Sequence, residues 1–236
     1  PVSVSYATGY SSKYVNAGEI QNKGVELTLF GTPVQSGDFK WDIMLNWAKN
    51  VNEVISLDSG LTNLQISGNL QGGVTVNARV GEPYGTIQGS DYVYQDGQRV
   101  VKSNGYYLLS PTTDIVLGNI QPDFIAGLNN RFTYKSWALS FLIDWQKGGD
   151  IFSVDMWYGL GTGLYPETDG INELGNPTRD PVTDDATSGG LILDGVVNTG
   201  TAEEPVWEAN TKRVAGDNYR VYGWARNPNA GFVYDA

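Results

Sequence analysis

Four segments of this sequence alternate apolar and polar side chains with a period of two, and that alternation limits the folds open to the chain. In Phe39–Asn50, FKWDIMLNWAKN, Trp41, Ile43, Leu45 and Trp47 share one face; Asp42, Met44, Asn46, Ala48 and Asn50 share the other. Successive side chains of an extended strand point to opposite sides, so this segment reads as a strand with one apolar and one mostly polar face. Phe124–Tyr134 and Trp137–Lys147 follow the same rule. In the first, Phe124, Ala126, Leu128, Phe132 and Tyr134 lie together, with Asn130 as a polar exception among them, opposite Ile125, Gly127, Asn129, Arg131 and Thr133. In the second, Trp137, Leu139, Phe141, Ile143 and Trp145 oppose Ala138, Ser140, Leu142, Asp144 and Gln146. Only Lys135 and Ser136 separate the two runs, which predicts a tight antiparallel hairpin. Val25–Phe30 is a further strand. It sets Val25, Leu27 and Leu29 against Glu26, Thr28 and Phe30, and reaches Phe39 through a turn carrying Thr32, Pro33, Ser36, Gly37 and Asp38.

The connections alternate in length. Those at 31–38 and 135–136 are short, whereas the ones from about 51 to 123 and from 148 to 231 are long. Structureless stretches of that size are foreign to a small soluble domain. Short turns at one end and long loops at the other are the habit of outer-membrane barrels. Trp137 and Trp145 are eight residues apart; that is about 26 Å of strand, or about 20 Å of height at a tilt of about 40°. Such a pair suits the aromatic girdles that flank an apolar band about 25 Å tall. The reading is all-β: an antiparallel meander of transmembrane β-barrel strands, an open piece of a large barrel with long extracellular loops. Strands are expected near 22–31, 39–50, 124–134 and 137–147, with another starting at 232–236. Ordinary sandwich strands, with one buried and one wet face, fit the alternation too; the loop asymmetry favours the barrel. Within the first long loop, Asp96-Gly97 between β-rich flanks in YVYQDGQRVV predicts a small type I′ hairpin.

Composition removes much chemistry. There is no Cys and no His, which excludes thiolate nucleophiles, disulfides, cysteine-zinc sites and histidine acid–base catalysis. No enzyme, cofactor or metal centre is expected. Fifteen Lys and Arg against 26 Asp and Glu give a net charge of −11. That is the wrong sign for a nucleic-acid partner. The acid is concentrated: residues 148–222 hold thirteen Asp and Glu and only four bases, Arg179, Lys212, Arg213 and Arg220. Charged residues are only 17% and glycines number 30, as suits β structure with many turns. No apolar run approaches the roughly 20 residues of a transmembrane helix, which leaves barrels open. The chain starts at Pro1, without Met or a signal peptide, and is expected to be a piece or a processed product.

Two stretches resemble the C-terminal half of the barrel of SusC/RagA-type TonB-dependent outer-membrane transporters. One is Asn16–Leu57, with the run formed by Asn16, Gly18, Ile20, Asn22, Lys23, Gly24, Val25, Glu26 and Leu27 followed by FKWDIMLNWAKN. The other is Gly118–Phe152, with Gly118, Asn119, Pro122, Asp123 and Phe124 at its start and GGDIF at its close. Val80–Gly85, VGEPYG, fits between them, and the order and spacing agree. The resemblance implies a barrel of about 22 strands with a plugged lumen. It implies import of oligosaccharides or peptides across the outer membrane of a Gram-negative cell, driven through the TonB complex, with a SusD-like surface lipoprotein as partner. No plug or TonB-contacting segment is recognisable, and Phe232–Tyr234 reads as the start of another descending strand ending at Ala236.

On this reading the lipid-facing residues are Trp41, Ile43, Leu45, Trp47, Trp137, Leu139, Phe141, Ile143 and Trp145. Ligand contacts are sought on the lumen face, at Asp42, Asn46, Asn50, Asn129, Arg131, Asp144 and Gln146. Others are sought on the loop aromatics Trp157, Tyr158 and Tyr165, set among Gly159, Gly161 and Gly163. Each has a plainer reading, as lining of a wet interior or as loop packing. Asp180, Thr183, Asp184 and Asp185 offer oxygens for calcium but lack the EF-hand's closing Glu, so a solvated acidic loop is expected. The loop acids are too many and too undirected to nominate a glycosidase pair, which needs about 5–9.5 Å between carboxyls. The rival functional reading is a soluble β-sandwich that binds carbohydrate, which would bury its Trp-bearing faces. A repetitive adhesin would show a fixed period, and none is found.

Overall fold

The computed structural model describes residues 2–3, 5–13, 18–67, 72–217, 221–223 and 225–235; Asn16, Arg220 and Ala236 lie outside them. In chain order the principal elements are β1 (Gly18–Ser36), β2 (Phe39–Leu57), β3 (Asn63–Gln65), β4 (Thr75–Arg79), β5 (Thr86–Gly89), β6 (Ile115–Asn119), β7 (Phe124–Tyr134) and β8 (Trp137–Lys147). They are followed by β9 (Asp150–Phe152), helix α1 (Val154–Thr162) and β10 (Val233–Asp235). The strands β8-β7-β2-β1 form one antiparallel sheet in that order. It is an open meander, all-β as the alternation predicts.

Two tight turns close the two hairpins at one end. Ser36 pairs with Phe39 and Tyr134 with Trp137, leaving two residues in each turn. Both turns use positive φ, at Gly37 (54°) and at Lys135 (52°), which a two-residue hairpin needs to match strand twist. The turns lie side by side, since the Lys135 N–H donates to the Asp38 carbonyl (3.2 Å). Both insertions, 58–123 and the chain after 148, leave from the opposite end.

The first hairpin is longer than the alternation indicates, with 19 residues in each strand. Its register shifts between Gly31 and Val34 and again between Glu19 and Ile20. A bulge puts two residues opposite one and breaks the period of two, so the pattern fades at 22 and 31 although the ladder continues. The loop expected from 51 therefore begins at Asp58.

That insertion is ordered. It holds a four-stranded sheet, β6-β5-β4-β3, and it docks on the upper part of β2. The Val54 N–H donates to the Glu82 carbonyl (3.0 Å) and the Gly81 N–H to the Val54 carbonyl (2.9 Å). The side chain of Asn52 accepts from the Tyr84 N–H (2.7 Å). The small hairpin forms as predicted, with Tyr94–Gln95 on Gln98–Arg99 and positive φ at both Asp96 and Gly97.

The described core lies between the two insertions. Tyr92, Val101, Tyr107, Leu193, Val214 and Val221 make one buried cluster. Arg99 lies over the rings of Tyr92 (4.1 Å) and Tyr107 (5.3 Å). The second insertion also contains an element that the alternation does not reveal: the glycine-rich segment 154–162 is a helix, capped by the Ser153 hydroxyl on the Met156 N–H (3.1 Å) and ended by Gly163 at φ 77°. Elsewhere asparagines replace missing ladder bonds. Asn172 donates to the Ser188 and Gly190 carbonyls and accepts from Leu174 and Asn176. Past β8, Gly148 and Gly149 adopt φ of 76° and 92°. A Cβ on Gly148 would lie 2.8 Å from Asp123 Cγ. The chain then runs as β9, which pairs antiparallel with β10, so the expected strand near 232 is present from Val233.

Asn229 ties three distant segments. Its side chain accepts from the Ser90 N–H (2.9 Å) and hydroxyl (3.0 Å) and donates to the Gly72 carbonyl (2.7 Å). An orphaned buried polar group costs about 1–3 kcal/mol. Asn229→Ala in the folded full-length protein is expected to loosen the first insertion by about 2 kcal/mol, read as faster limited proteolysis within 58–123 with β1, β2, β7 and β8 still protected. Tyr92 supplies a second test, since its hydroxyl donates to Asn227 (3.1 Å). Burial pushes its pKa to about 12 from 10.0. A pKa raised by folding gives stability that is complete below pH 10 and lost as pH climbs from 10 to 12. Proteolysis of the insertions should accelerate in that window, and Tyr92→Phe should flatten the dependence.

Candidate functional site

The pairing register assembles the polar face of the sheet into rungs that cross all four strands. One rung is Thr28, Asn46, Gly127 and Asp144; the next is Phe30, Met44, Asn129 and Leu142. On the turn side, Asp42 faces Arg131 and Arg131 faces Ser140; on the insertion side, Glu26, Ala48, Ile125 and Gln146 align.

Two neighbouring depressions lie on this face. One, of about 460 Å³, includes Glu26, Asn46, Asn129 and Asp144 in its lining. The other, of about 360 Å³, includes Phe30, Asp42, Asn129 and Arg131. Met44 and Asn129 belong to both. Gly127 deepens the first, for a Cβ there would stand 3.2 Å from Asp144 Oδ1. Thr28 donates to Asn46 (3.0 Å), and Asp42 accepts from Thr32 (2.6 Å) and pairs with Lys40 (2.7 Å). The groove thus offers the carboxylates of Glu26, Asp42 and Asp144, the amides of Asn46 and Asn129 and the Arg131 guanidinium around exposed apolar spots. Hydrogen-bonding groups of both kinds beside apolar surface suit a polar chain with apolar patches.

Five residues singled out in the sequence, Asp42, Asn46, Asn129, Arg131 and Asp144, therefore line one continuous groove. Gln146 shares the face but lies outside both depressions. Asn50 sits higher, donating to Asn22 (3.3 Å). Sequence reasoning misses Glu26, Phe30, Met44 and Leu142. The last three are apolar residues on a polar face, at 85%, 41% and 55% exposure, and their place against the alternation is the signal that could have found them.

The loop aromatics are placed differently. Trp157 is buried and packs on Phe152 (6.5 Å) and Tyr158 (4.7 Å); it is helix packing, because the glycines beside it sit in α1 and its C-cap. Tyr158 remains exposed. The Tyr165 hydroxyl donates to the Asp155 carboxylate, and that bond raises its pKa. The three surround one helix and do not join the groove. In the acidic segment, Asp185 accepts from the Thr187 N–H and hydroxyl (2.8 and 2.6 Å) and from the Thr183 hydroxyl (3.0 Å). These bonds hold its carboxyl below the usual range, the Thr187 hydroxyl first among them. Among the described residues no three acidic side chains converge as a metal site.

The opposite face carries two aromatic groups. Towards the turns, Trp41 stacks on Phe132 (5.5 Å), which also meets Phe39 (6.3 Å) and Phe141 (6.0 Å). Towards the insertions, Phe124 packs against Trp47 (6.3 Å) and Trp145 (5.4 Å). Ile43, Leu45, Leu128 and Ile143 lie between them in register, with Leu139 opposite Phe132 and Trp137 closing the turn end. Asn130, the polar exception, is buried and accepts from the Trp41 indole N–H (3.1 Å).

No family model matches the chain. Among curated proteins it is 27% identical over 193 residues to TonB-dependent receptor P3 of Formosa agariphila, covering 73% of this chain and 19% of that protein. It is 24% identical over 153 residues to TonB-dependent receptor SusC of Bacteroides thetaiotaomicron, covering 59% of the chain and 15% of that protein. Its fold matches a solved structure of the RagAB peptide transporter with a TM-score of 0.52 at 23% identity, over 69% of this chain and 19% of that one. The chain spans about a fifth of the length of the curated relatives it matches. The residues that carry the resemblance, the curated relatives and the shared fold agree: this chain is similar to a segment of TonB-dependent receptors and shares its fold with part of the RagAB structure.

Proposed function

We propose that β1, β2, β7 and β8 are four neighbouring wall strands of an outer-membrane import channel. Their tight turns lie on the periplasmic side and the two insertions outside the cell. The observation that carries this reading is the division of the sheet into two unlike faces. On one, Trp137, Leu139, Ile143 and Trp145 are 78%, 62%, 53% and 62% exposed, too much apolar surface to leave in water. An apolar band between aromatic belts belongs in hydrocarbon. The other face, with the groove around Asn129, lines the lumen.

The cargo is an oligosaccharide or a peptide, and the groove touches it in passage. A SusD-like surface lipoprotein at the insertions and the TonB complex in the periplasm are the partners of the whole transporter. The names of the relatives support this: one is SusC, and one of the solved structures is a peptide transporter. Transport is a property of the whole barrel, and this segment supplies wall and outer surface. A soluble carbohydrate-binding sandwich would need a second sheet over the Trp-bearing face, and the exposures above leave that face uncovered.

Neighbouring residues of one strand test the lipid face. Ile143→Lys in the full-length protein puts an ammonium near mid-band, at about 2–4 kcal/mol. Asp144→Lys, one residue on, points to the groove and escapes that cost. Folded yield in outer membranes should fall sharply for the first and little for the second; equal yields would show that the band does not meet lipid. The lumen face is tested by Asn129→Leu. It should lower uptake about fivefold, the worth of roughly one hydrogen bond, while Gln146→Leu, outside the groove, leaves uptake within about twofold. Folded yield should match wild type for both.

A further inference from the structure

At the insertion end of the apolar band the outward face turns basic. Val25 pairs with Lys49 and Lys23 with Val51 on adjacent positions of the β1–β2 ladder, directly above the Leu27–Trp47 pair. Together Lys23, Val25, Trp47, Lys49 and Val51 line a depression of about 370 Å³. Its floor is apolar and aromatic, and both lysines are exposed. On the far side of the sheet Lys147 ends β8 opposite Phe124, the ring that packs between Trp47 and Trp145.

The lysines at the two ends of the sheet are treated differently. At the turn end, Lys40 is paired with Asp42 and Lys135 with Asp38. At the insertion end, Lys23, Lys49 and Lys147 have no carboxylate within ion-pair distance among the described residues. The outward acid nearest along the ladder, Glu53, pairs with Gln21 one step farther from the apolar band. Lys49 and Lys23 are therefore cations set where hydrocarbon gives way to water, each with its aliphatic stem along an apolar floor. Uncompensated positive charge there asks for an anion, and the floor asks for a hydrocarbon chain.

We propose that Lys23 and Lys49, over Val25, Trp47 and Val51, form a binding site for the phosphate-bearing headgroup of an outer-leaflet lipid, with Lys147 extending it across the sheet. The acyl chain lies on Trp47 and the apolar band below, and the phosphates meet the ammonium groups. The proposal rests on the wall reading above. It goes beyond that reading by giving the outward face selectivity for one lipid chemistry at one rim.

The test uses the full-length transporter in phosphatidylcholine nanodiscs, titrated with diphosphorylated lipid A. The Lys23→Gln/Lys49→Gln double variant should weaken lipid A binding about 25-fold, about fivefold per lysine. Lys135→Gln at the turn end should leave it unchanged, and the Lys23→Arg/Lys49→Arg variant should retain it. Inorganic phosphate should not displace the lipid, because it lacks the chain that the floor holds. Undiminished binding by the double Gln variant would overturn the site. So would an equal loss from Lys135→Gln, or displacement by inorganic phosphate. A fluorophore on Ile143→Cys, challenged with brominated lipid, separates the two levels. Quenching without lipid A selectivity defeats only the headgroup site, and absence of quenching defeats the wall reading and the site together.

Discussion

The antiparallel ladder between β2 and β7 joins two hairpins that the sequence separates by more than sixty residues. Its register sets Trp41 opposite Phe132, Leu45 opposite Leu128 and Asp42 opposite Arg131. Every property ascribed to the two faces depends on that alignment, because a slip of one residue in a strand moves its whole side-chain set to the other face. Three features hold it. The tight turns fix each hairpin internally. The bond from the Lys135 N–H to the Asp38 carbonyl sets the turns level with each other. The Trp41–Asn130 hydrogen bond pins β2 to β7 from the apolar side. A buried amide costs several kcal/mol if left alone; this bond gives the Asn130 side-chain carbonyl a donor and the Trp41 indole an acceptor.

The wall and the insertions divide the labour. The wall strands bury little within this chain, and their side chains stand exposed on both faces. The buried aromatic core lies instead between the insertions, where Tyr92 and Tyr107 meet edge to face (5.1 Å) under Arg99. Above the wall the backbone has few long ladders, and buried amides must find partners another way. Asn172, Asn210, Asn227 and Asn229 supply them, each donating to carbonyls of a different segment. The first insertion is thus an organised surface tied to β2 at Val54 and Asn52.

The groove itself comes from what is small as much as from what is polar. Gly127 leaves room between Asn46 and Asp144, and the apolar spots of Phe30, Met44 and Leu142 cross the sheet as one rung with Asn129. Polar groups and apolar spots thus lie side by side along one groove.

The period of two and the dipeptide turns are local properties, and the sequence by itself determined everything that depends on them alone. The bounds of β7 and β8, their two-residue turn, the Asp96-Gly97 hairpin and the sorting of Asp42, Asn46, Asp144 and Gln146 away from the Trp-bearing side were all legible. So was the resemblance to SusC/RagA-type transporters, because it is carried by residues near one another in the chain. The tertiary structure alone decided the rest. The bulges at Gly31–Val34 and Glu19–Ile20 lengthen β1 and β2 past the visible pattern, since only the partner strand reveals where two residues face one. The sheet within 58–119 is built from strands of three to five residues, too short to show a period. Trp157 looked like an exposed ring beside glycines, but the Ser153 cap and contact with Phe152 turn that segment into a helix that buries it. The groove around Asn129 needed the β2–β7 register, which pairs residues 85 apart in the chain and leaves no mark on the sequence between them.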